Sequence, residues 1–286
     1  MADYRIITDS SCDLTALEIQ ELNIPVVSLS LNIQGKSICP TEEDYKSIYA
    51  ALRAGENATT SAANPDDWMG AMEPVLKEGQ DLLVMAFSSG LSTTYQSSCI
   101  AADGLREEFP DAAILTVDTL CASMGQGLLV YLCALQKQAG KSIEEVRDYA
   151  EATKMQICHW VTVDDLNHLK RGGRVSAATA LFGSMLTIKP IIHVDDEGHL
   201  INVGKARGRK PSLMTLAAEM EKRAADPAEQ TVFISHGDCL EDAQLLEKIL
   251  QEKYGVKSAF IYYVGAVIGS HSGPGTLALF FMGNKR

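Results

Sequence analysis

Apolar and polar positions along the first half of the chain change period in a regular order. Tyr4–Ser11 is a short apolar run that ends in Asp-Ser-Ser, as a strand does on meeting a loop. Ile24–Ile33 alternates apolar with polar residues and predicts a second strand. Residues 42–55 and 65–79 have helical periodicity, and each segment closes on a glycine suited to a helix cap. Asp81–Phe87 predicts a buried strand that runs through Ser88-Ser89-Gly90 into a helix from about Leu91 to Phe109. Ala112–Thr119 predicts another strand, followed by helices over 122–139 and 143–157. This strand–loop–helix rhythm predicts a parallel sheet with helices on both faces.

The second half has a different pattern. Cys158–Leu166 predicts a strand entering a short helix that stops at Lys170–Arg174. Ala177–Ile188 predicts a buried helix, and Lys189–Ala206 a β-hairpin turning at Asp196-Glu197-Gly198. Residues 211–225 and 241–255 predict helices, with a strand over 230–238 between them. Ser258–Gly269 and Gly275–Gly283 predict the last strands. A hairpin among helices indicates an α+β unit with a mixed or antiparallel sheet. The expected fold is therefore an N-terminal parallel-sheet α/β domain over residues 1–157 and a C-terminal α+β domain over 158–286.

Composition narrows the function. With 25 basic and 37 acidic side chains among 286 residues, the net charge is −12. Such a surface argues against broad binding to nucleic acid or to an anionic membrane. The longest apolar runs, such as Thr276–Met282, are far short of the ~20 residues that span a bilayer, and no leader pattern precedes Tyr4. A cytoplasmic protein with no stable membrane insertion is expected. Seven cysteines, an odd number with no C-x-x-C spacing, fit small buried hydrophobes in a reducing compartment, with Cys12 beside a loop of functional character. His159, His168, His193, His199 and His236 show no metal-ligand spacing, and no cofactor is expected.

Hydroxyl groups cluster at the predicted strand ends. Thr8–Leu14 (TDSSCDL) puts short polar side chains at the carboxyl edge of a sheet, where open α/β folds bind ligands. Thr59–Pro65 (TTSAANP) is expected to be a loop that places further hydroxyls before a helix starting at Pro65. In Phe87–Ser98 (FSSGLSTTYQSS) a buried strand turns into a helix N-terminus, where free N–H groups favour an anion. Gly269–Gly273 (GSHSG) has His271 where a hydrolase elbow has its serine. A serine working with His271 as base would make a lipid or thioester hydrolase, the main enzymatic alternative. No phosphate-binding glycine loop occurs. Leu169–Ser176 (LKRGGRVS) is a knot of basic residues in an acidic chain.

These stretches, together with VDTLCASMGQG, LTIKPII and GAVIGSHSGPG, resemble the DegV family in their order along the whole chain. The resemblance implies a two-domain, non-enzymatic protein that holds one long-chain fatty acid between its domains. It implies a carboxylate site at Ser61, Ser89 and His271, with Thr60, Ser88 and Ser92 as further donors. The acyl tail would lie in the C-terminal domain, against stretches such as Ala178–Ile188 and Thr276–Met282. In the fatty-acid-kinase system, members of the family present the bound acid to a separate ATP-dependent kinase that makes acyl phosphate. By the same resemblance, Arg171, Arg174 and Arg207 are expected to dock that kinase.

Overall fold

The structure, a computed structural model, describes residues 3–175, 187–224 and 226–286. Most of the buried helix expected over Ala177–Ile188, with its share of the tail wall, lies outside the described residues.

Strands β1 (Tyr4–Asp9) and β2 (Val26–Val27) flank helix α1 (Ala16–Leu22). β3 (Ser30–Ile33), β4 (Lys36–Ile38), α2 (Tyr45–Arg53) and β5 (Ala58–Ser61) follow. Next come α3 (Pro65–Lys77), β6 (Asp81–Ala86), α4 (Thr94–Glu108), β7 (Ile114–Asp118), α5 (Met124–Gln138) and α6 (Ile143–Thr153). β1, β2, β6 and β7 form the expected parallel sheet, in the order β2-β1-β6-β7. Its register sets Thr8 opposite Met85 and Asp9 opposite Val27, so the polar ends of β1 and β6 share one edge.

Two local expectations are corrected here. Ile24–Ile33 is two strands, of which only β2 joins the parallel sheet. Thr59–Ser61 belongs to a strand, not a loop. β4, β3 and β5 form a separate antiparallel sheet, with Ser30 opposite Ser61 and Leu31 opposite Thr60.

The rest of the chain builds a six-stranded sheet. Its elements are β8 (Ile157–Thr162), α7 (Leu166–Gly172), β9 (Ile188–Val194), β10 (Leu200–Arg207) and α8 (Arg209–Arg223). β11 (Thr231–His236), α9 (Leu240–Tyr254), β12 (Ser258–Tyr263), α10 (Ala266–Ser272) and β13 (Leu277–Met282) complete it. The order is β10-β9-β8-β13-β11-β12, antiparallel except for the β11–β12 pair. One face carries Cys158, Trp160, Ile234, Leu277 and Leu279 against α8 and α9. The opposite face presents Phe233, Ala278 and Phe280 to α5. Here too one expectation fails: the segment over Ser258–Gly269 is not a single strand, because α10 begins just after Gly265.

α5 joins the two large sheets. Met124–Val130 is buried on every side, as a helix between two layers must be. A single apolar cluster runs from Ile6, Leu83 and Val117 through Met124 and Leu128 to Phe233 and Phe280. A buried polar knot secures the same junction. The Asp9 carboxylate accepts from the Phe87 amide at 2.8 Å, from the Ser11 amide at 3.0 Å and from Gln126 of α5 at 3.3 Å. Burial raises the Asp9 pKa and these donors work against the rise.

Candidate functional site

A cavity of about 560 Å³ lies where the carboxyl edge of the parallel sheet, β5, α7 and α10 meet the six-stranded sheet. Much of its wall is apolar, with Phe87, Val161, Val163, Ile192, Val267 and Phe280 among the contributors. Its volume and lining are those of a small-molecule site.

Polar groups gather where four chain segments meet. The Thr60 Oγ1 of β5 and the His271 Nε2 of α10 are hydrogen-bonded at 2.7 Å. β5 alternates in exposure, so Thr60 and the following Ala62 line the cavity while Thr59 and Ser61 face outward. Gly172, the last residue of α7, lies so close to the His271 ring that a Cβ there would overlap Nδ1. Gly173 then reverses the chain at φ 69°, a left-handed turn that glycine adopts without strain. That reversal brings Arg174 onto the cavity wall. The Arg174 guanidinium donates to the carbonyls of Gly172 at 2.5 Å and Leu91 at 3.3 Å, and pairs with no carboxylate among the described residues. Ser92 follows Leu91 and also lines the cavity, where its hydroxyl accepts from the Thr94 amide at the start of α4.

Arg174 is the cation that the described residues bring to this end of the cavity. Burial, with Arg174 nearby, lowers the His271 pKa to about 4, so the ring is neutral near pH 7. The positive charge therefore rests on Arg174. A second depression of about 390 Å³ lies outside and shares Thr60, Arg174 and His271 with the inner cavity. Arg171 and His168 line that outer depression, with Arg171 Nη2 3.0 Å from His168 Nδ1.

The residues expected from sequence separate into distinct groups. Thr60, Ser89, Ser92 and His271 line the cavity. Ser61 is exposed and outside it, because the strand period turns it away. Ser88 is fully buried and its hydroxyl donates to the Gly198 carbonyl at 2.9 Å, fastening the β9–β10 turn to the end of β6. Arg171 is exposed on α7, and Arg207 is exposed on β10 away from the cavity. Arg174, expected on a docking surface, lines both the cavity and the outer depression.

The cavity wall also includes residues that lie within the quoted stretches but were not expected at the site. Ser123 adopts φ 53° at the start of α5. Its hydroxyl donates to Asp13 at 2.5 Å and lies 3.1 Å from that of Ser235. Burial raises the Asp13 carboxyl to about 7, against the opposing effect of the Ser123 bond. His159 is buried and also lines the cavity, accepting from the Ala122 amide through Nε2 while Nδ1 lies 3.0 Å from the Ile157 carbonyl. Burial holds its pKa well below the usual range. Ser272 also lines the cavity.

No group of three or more His, Cys, Asp or Glu among the described residues has metal-site geometry. No described helix is long and apolar enough to cross a membrane. All seven cysteines are unpaired, and burial pushes the Cys12 thiol far above its usual pKa, which makes it a packing residue rather than a nucleophile.

A family model described as "Uncharacterised protein, DegV family" matches residues 3–284. A DegV domain-containing protein of Clostridium perfringens is 47% identical over 289 residues, spanning 100% of this chain and 99% of the relative. Among solved structures, a DegV family protein from Thermus thermophilus, described by its fatty acid binding, is similar with TM-score 0.87 and 30% identity. The similarity covers 99% of this chain and 100% of that one. DegV from Bacillus subtilis, described as a fatty acid binding protein, gives TM-score 0.86 at 26% identity, again over 99% of this chain and 100% of that one.

Proposed function

The chain belongs to the DegV family, and from that premise we propose that it binds one long-chain fatty acid without itself being an enzyme. The observation that carries the reading is the cavity itself: a long apolar wall ending at Thr60, Ser92, Arg174 and His271. Two structural relatives bind fatty acids. A fatty acid has the same division, an apolar tail and one anionic end.

The carboxylate sits at the polar end, between the N-terminal unit (residues 1–157) and the C-terminal unit (158–286). Arg174, a cation with no carboxylate partner among the described residues, supplies the charge. Thr60, Ser92, Ser89 and His271 supply hydroxyl and imidazole groups around it. A buried carboxylate without such donors would be strongly disfavoured. The tail lies along Val161, Val163 and Ile192. At ~0.8 kcal/mol per buried CH₂, a tail of ~14 methylenes contributes on the order of 11 kcal/mol before ordering costs.

The finer reading is that the bound acid is presented to a separate ATP-dependent kinase, which phosphorylates the carboxylate. Its support is the outer depression that shares Thr60, Arg174 and His271 with the cavity. A partner seated over exposed Arg171 would reach the carboxylate from that side. The hydrolase alternative has less support, since the hydroxyl bonded to His271 is that of Thr60, not a serine.

Organic extraction of the purified protein, followed by mass spectrometry, tests the binding reading. One intact fatty acid per chain is expected. A protein that carries no lipid and displaces no fluorescent fatty acid would sink it. Turnover of acyl esters by the protein alone would favour the hydrolase.

A further inference from the structure

Four buried hydroxyls line the cavity beyond its polar end: those of Ser123, Ser235, Ser272 and Thr276. Three have protein partners. Ser123 donates to Asp13 at 2.5 Å, Ser235 meets Ser123 at 3.1 Å, and Thr276 donates to the Gly273 carbonyl at 2.7 Å. Ser272 differs. It is 6% exposed, and its buried Oγ finds no partner among the described residues.

The contrast with its own helix is informative. A helical serine ordinarily satisfies its hydroxyl on a carbonyl one turn back. Ser270 does so, donating to Val267 at 2.8 Å. Ser272, two residues later on α10, does not. A buried hydroxyl without a partner is an unfavourable way to line an apolar tunnel, and a plain hydrocarbon chain would leave it unsatisfied.

We propose that Ser272 is a specificity-determining residue that hydrogen-bonds an oxygen substituent, hydroxyl or oxo, on the ligand's acyl chain. This rests on the fatty-acid reading above and narrows its substrate class. Position along the chain follows from position in the helix. Ser272 directly follows His271, so their Cα atoms are about 3.8 Å apart, and consecutive helical side chains diverge by about 100°. His271 is at the carboxylate end, so Ser272 meets the first few carbons of the chain rather than its far end. The favoured ligands are long-chain acids substituted close to the carboxyl group, such as 3-hydroxy acids.

The test compares hexadecanoate, 3-hydroxyhexadecanoate and 16-hydroxyhexadecanoate on delipidated protein by competition with a fluorescent fatty acid. In the native protein, the ratio of 3-hydroxy to unsubstituted affinity should exceed the ratio of 16-hydroxy to unsubstituted affinity. Ser272→Ala should lower the first ratio about tenfold, equivalent to about 1.4 kcal/mol. Ser272→Thr, which keeps the hydroxyl, should retain most of it. Equal loss for all three ligands in Ser272→Ala would place the hydroxyl on the carboxylate and overturn the proposal. An unchanged ratio would overturn it too, as would a native protein that does not distinguish the 3- and 16-hydroxy acids, even if Ser272→Ala fails to fold. Failure of the native protein to bind hexadecanoate at all would instead overturn the fatty-acid reading beneath it.

Discussion

Thr60 Oγ1 and His271 Nε2 lie 2.7 Å apart although 211 positions separate them in the chain. Their bond joins an edge strand of the small antiparallel sheet to a short helix beside the six-stranded sheet. Both residues line the inner cavity and the outer depression. Neither is charged near pH 7. The pair therefore brings neutral hydrogen-bonding groups to the inner cavity, where Arg174 is the cation among the described lining residues.

Thr60→Val and His271→Ala are each expected to weaken fatty-acid binding by ~1–3 kcal/mol, since each leaves a charged acceptor short of a group that solvates it. Thr60→Ser keeps the hydroxyl and should stay near native. Ser61→Ala, on the outward side of the same strand, should change little. Fluorescent fatty-acid displacement reads all four. Loss of binding in Ser61→Ala with retention in Thr60→Val would reverse the assigned facing of β5.

Much of this arrangement was legible in the sequence. The apolar runs of β1, β6 and β7 are long enough to announce a parallel sheet. Their Asp- and Ser-rich ends point to its carboxyl edge, and His271 stands out between glycines. What the sequence hid depends on distant pairing. Ala58–Ser61 is too short and too hydroxylated to read as a strand, and it becomes one by pairing with β3. The β-branched residues before α10 read as a continuing strand, but the chain turns helical after Gly265. Arg174 looks like part of a basic helix end, and only the left-handed turn at Gly173 shows that it faces the cavity. Ser123 and Ser272 lie inside stretches that stand out in the sequence, but their distinction lies in which hydroxyls reach a partner, and only the fold shows that.

Chain length should be read out strongly. If the tail is enclosed by the apolar wall, removing each pair of methylenes costs ~1.6 kcal/mol, more than tenfold in affinity, until the cavity is no longer filled. A saturated series from decanoate to octadecanoate measures this. Flat affinity across the series would indicate that the tail lies on the surface.

Acid should destabilise the protein in part through His271. Its pKa in the fold is about 4, below the ordinary value of 6.5. Between those values the unfolded chain binds a proton that the native state does not. The stabilisation from keeping this ring neutral is thus complete above about pH 6.5 and is lost as pH falls toward 4. Asp13 works in the opposite sense, because its raised pKa of about 7 favours the native state at low pH. Replacing His271 by Gln should therefore flatten the acid limb of the stability profile. Urea midpoints from pH 7 to pH 4 provide the comparison, and an unchanged slope would mean the ring is solvated in the fold.

Close packing at α5 gives a stability prediction. A Cβ at Gly127 would come within 2.5 Å of the Cys12 carbonyl oxygen, a backbone atom that cannot swing aside. Gly127→Ala should destabilise by ~1–3 kcal/mol despite the better helix propensity of alanine. At Gly104, inside α4, an added Cβ would meet nothing within 4 Å, so Gly104→Ala should stabilise by ~0.5–1 kcal/mol. Chemical denaturation of both variants tests whether space or propensity decides.

Arg171 and Arg174 stand three residues apart in one basic knot, yet the fold gives them different surroundings. Arg174 is half-buried on the cavity wall, held by the Gly172 and Leu91 carbonyls. Arg171 is exposed and lines the outer depression. Arg174→Gln is therefore expected to weaken fatty-acid binding by ~1.5–3 kcal/mol, the range for a hydrogen bond to a charged group. Arg171→Glu should leave fatty-acid affinity near native but lower acyl-phosphate formation with a cognate kinase. A docking charge of this kind contributes ~1–3 kcal/mol, and its effect should shrink as salt rises if the pair lies at the rim of the interface. Arg207→Glu tests whether the docking surface extends to β10. Lipid affinity, melting temperature and kinase turnover should be measured on the same variants. If Arg171→Glu abolishes lipid binding while Arg174→Gln does not, the two arginines have been assigned in the wrong order. If Arg171→Glu only lowers the melting temperature, Arg171 serves the end of α7, where a cation offsets the helix dipole, and the docking surface lies elsewhere.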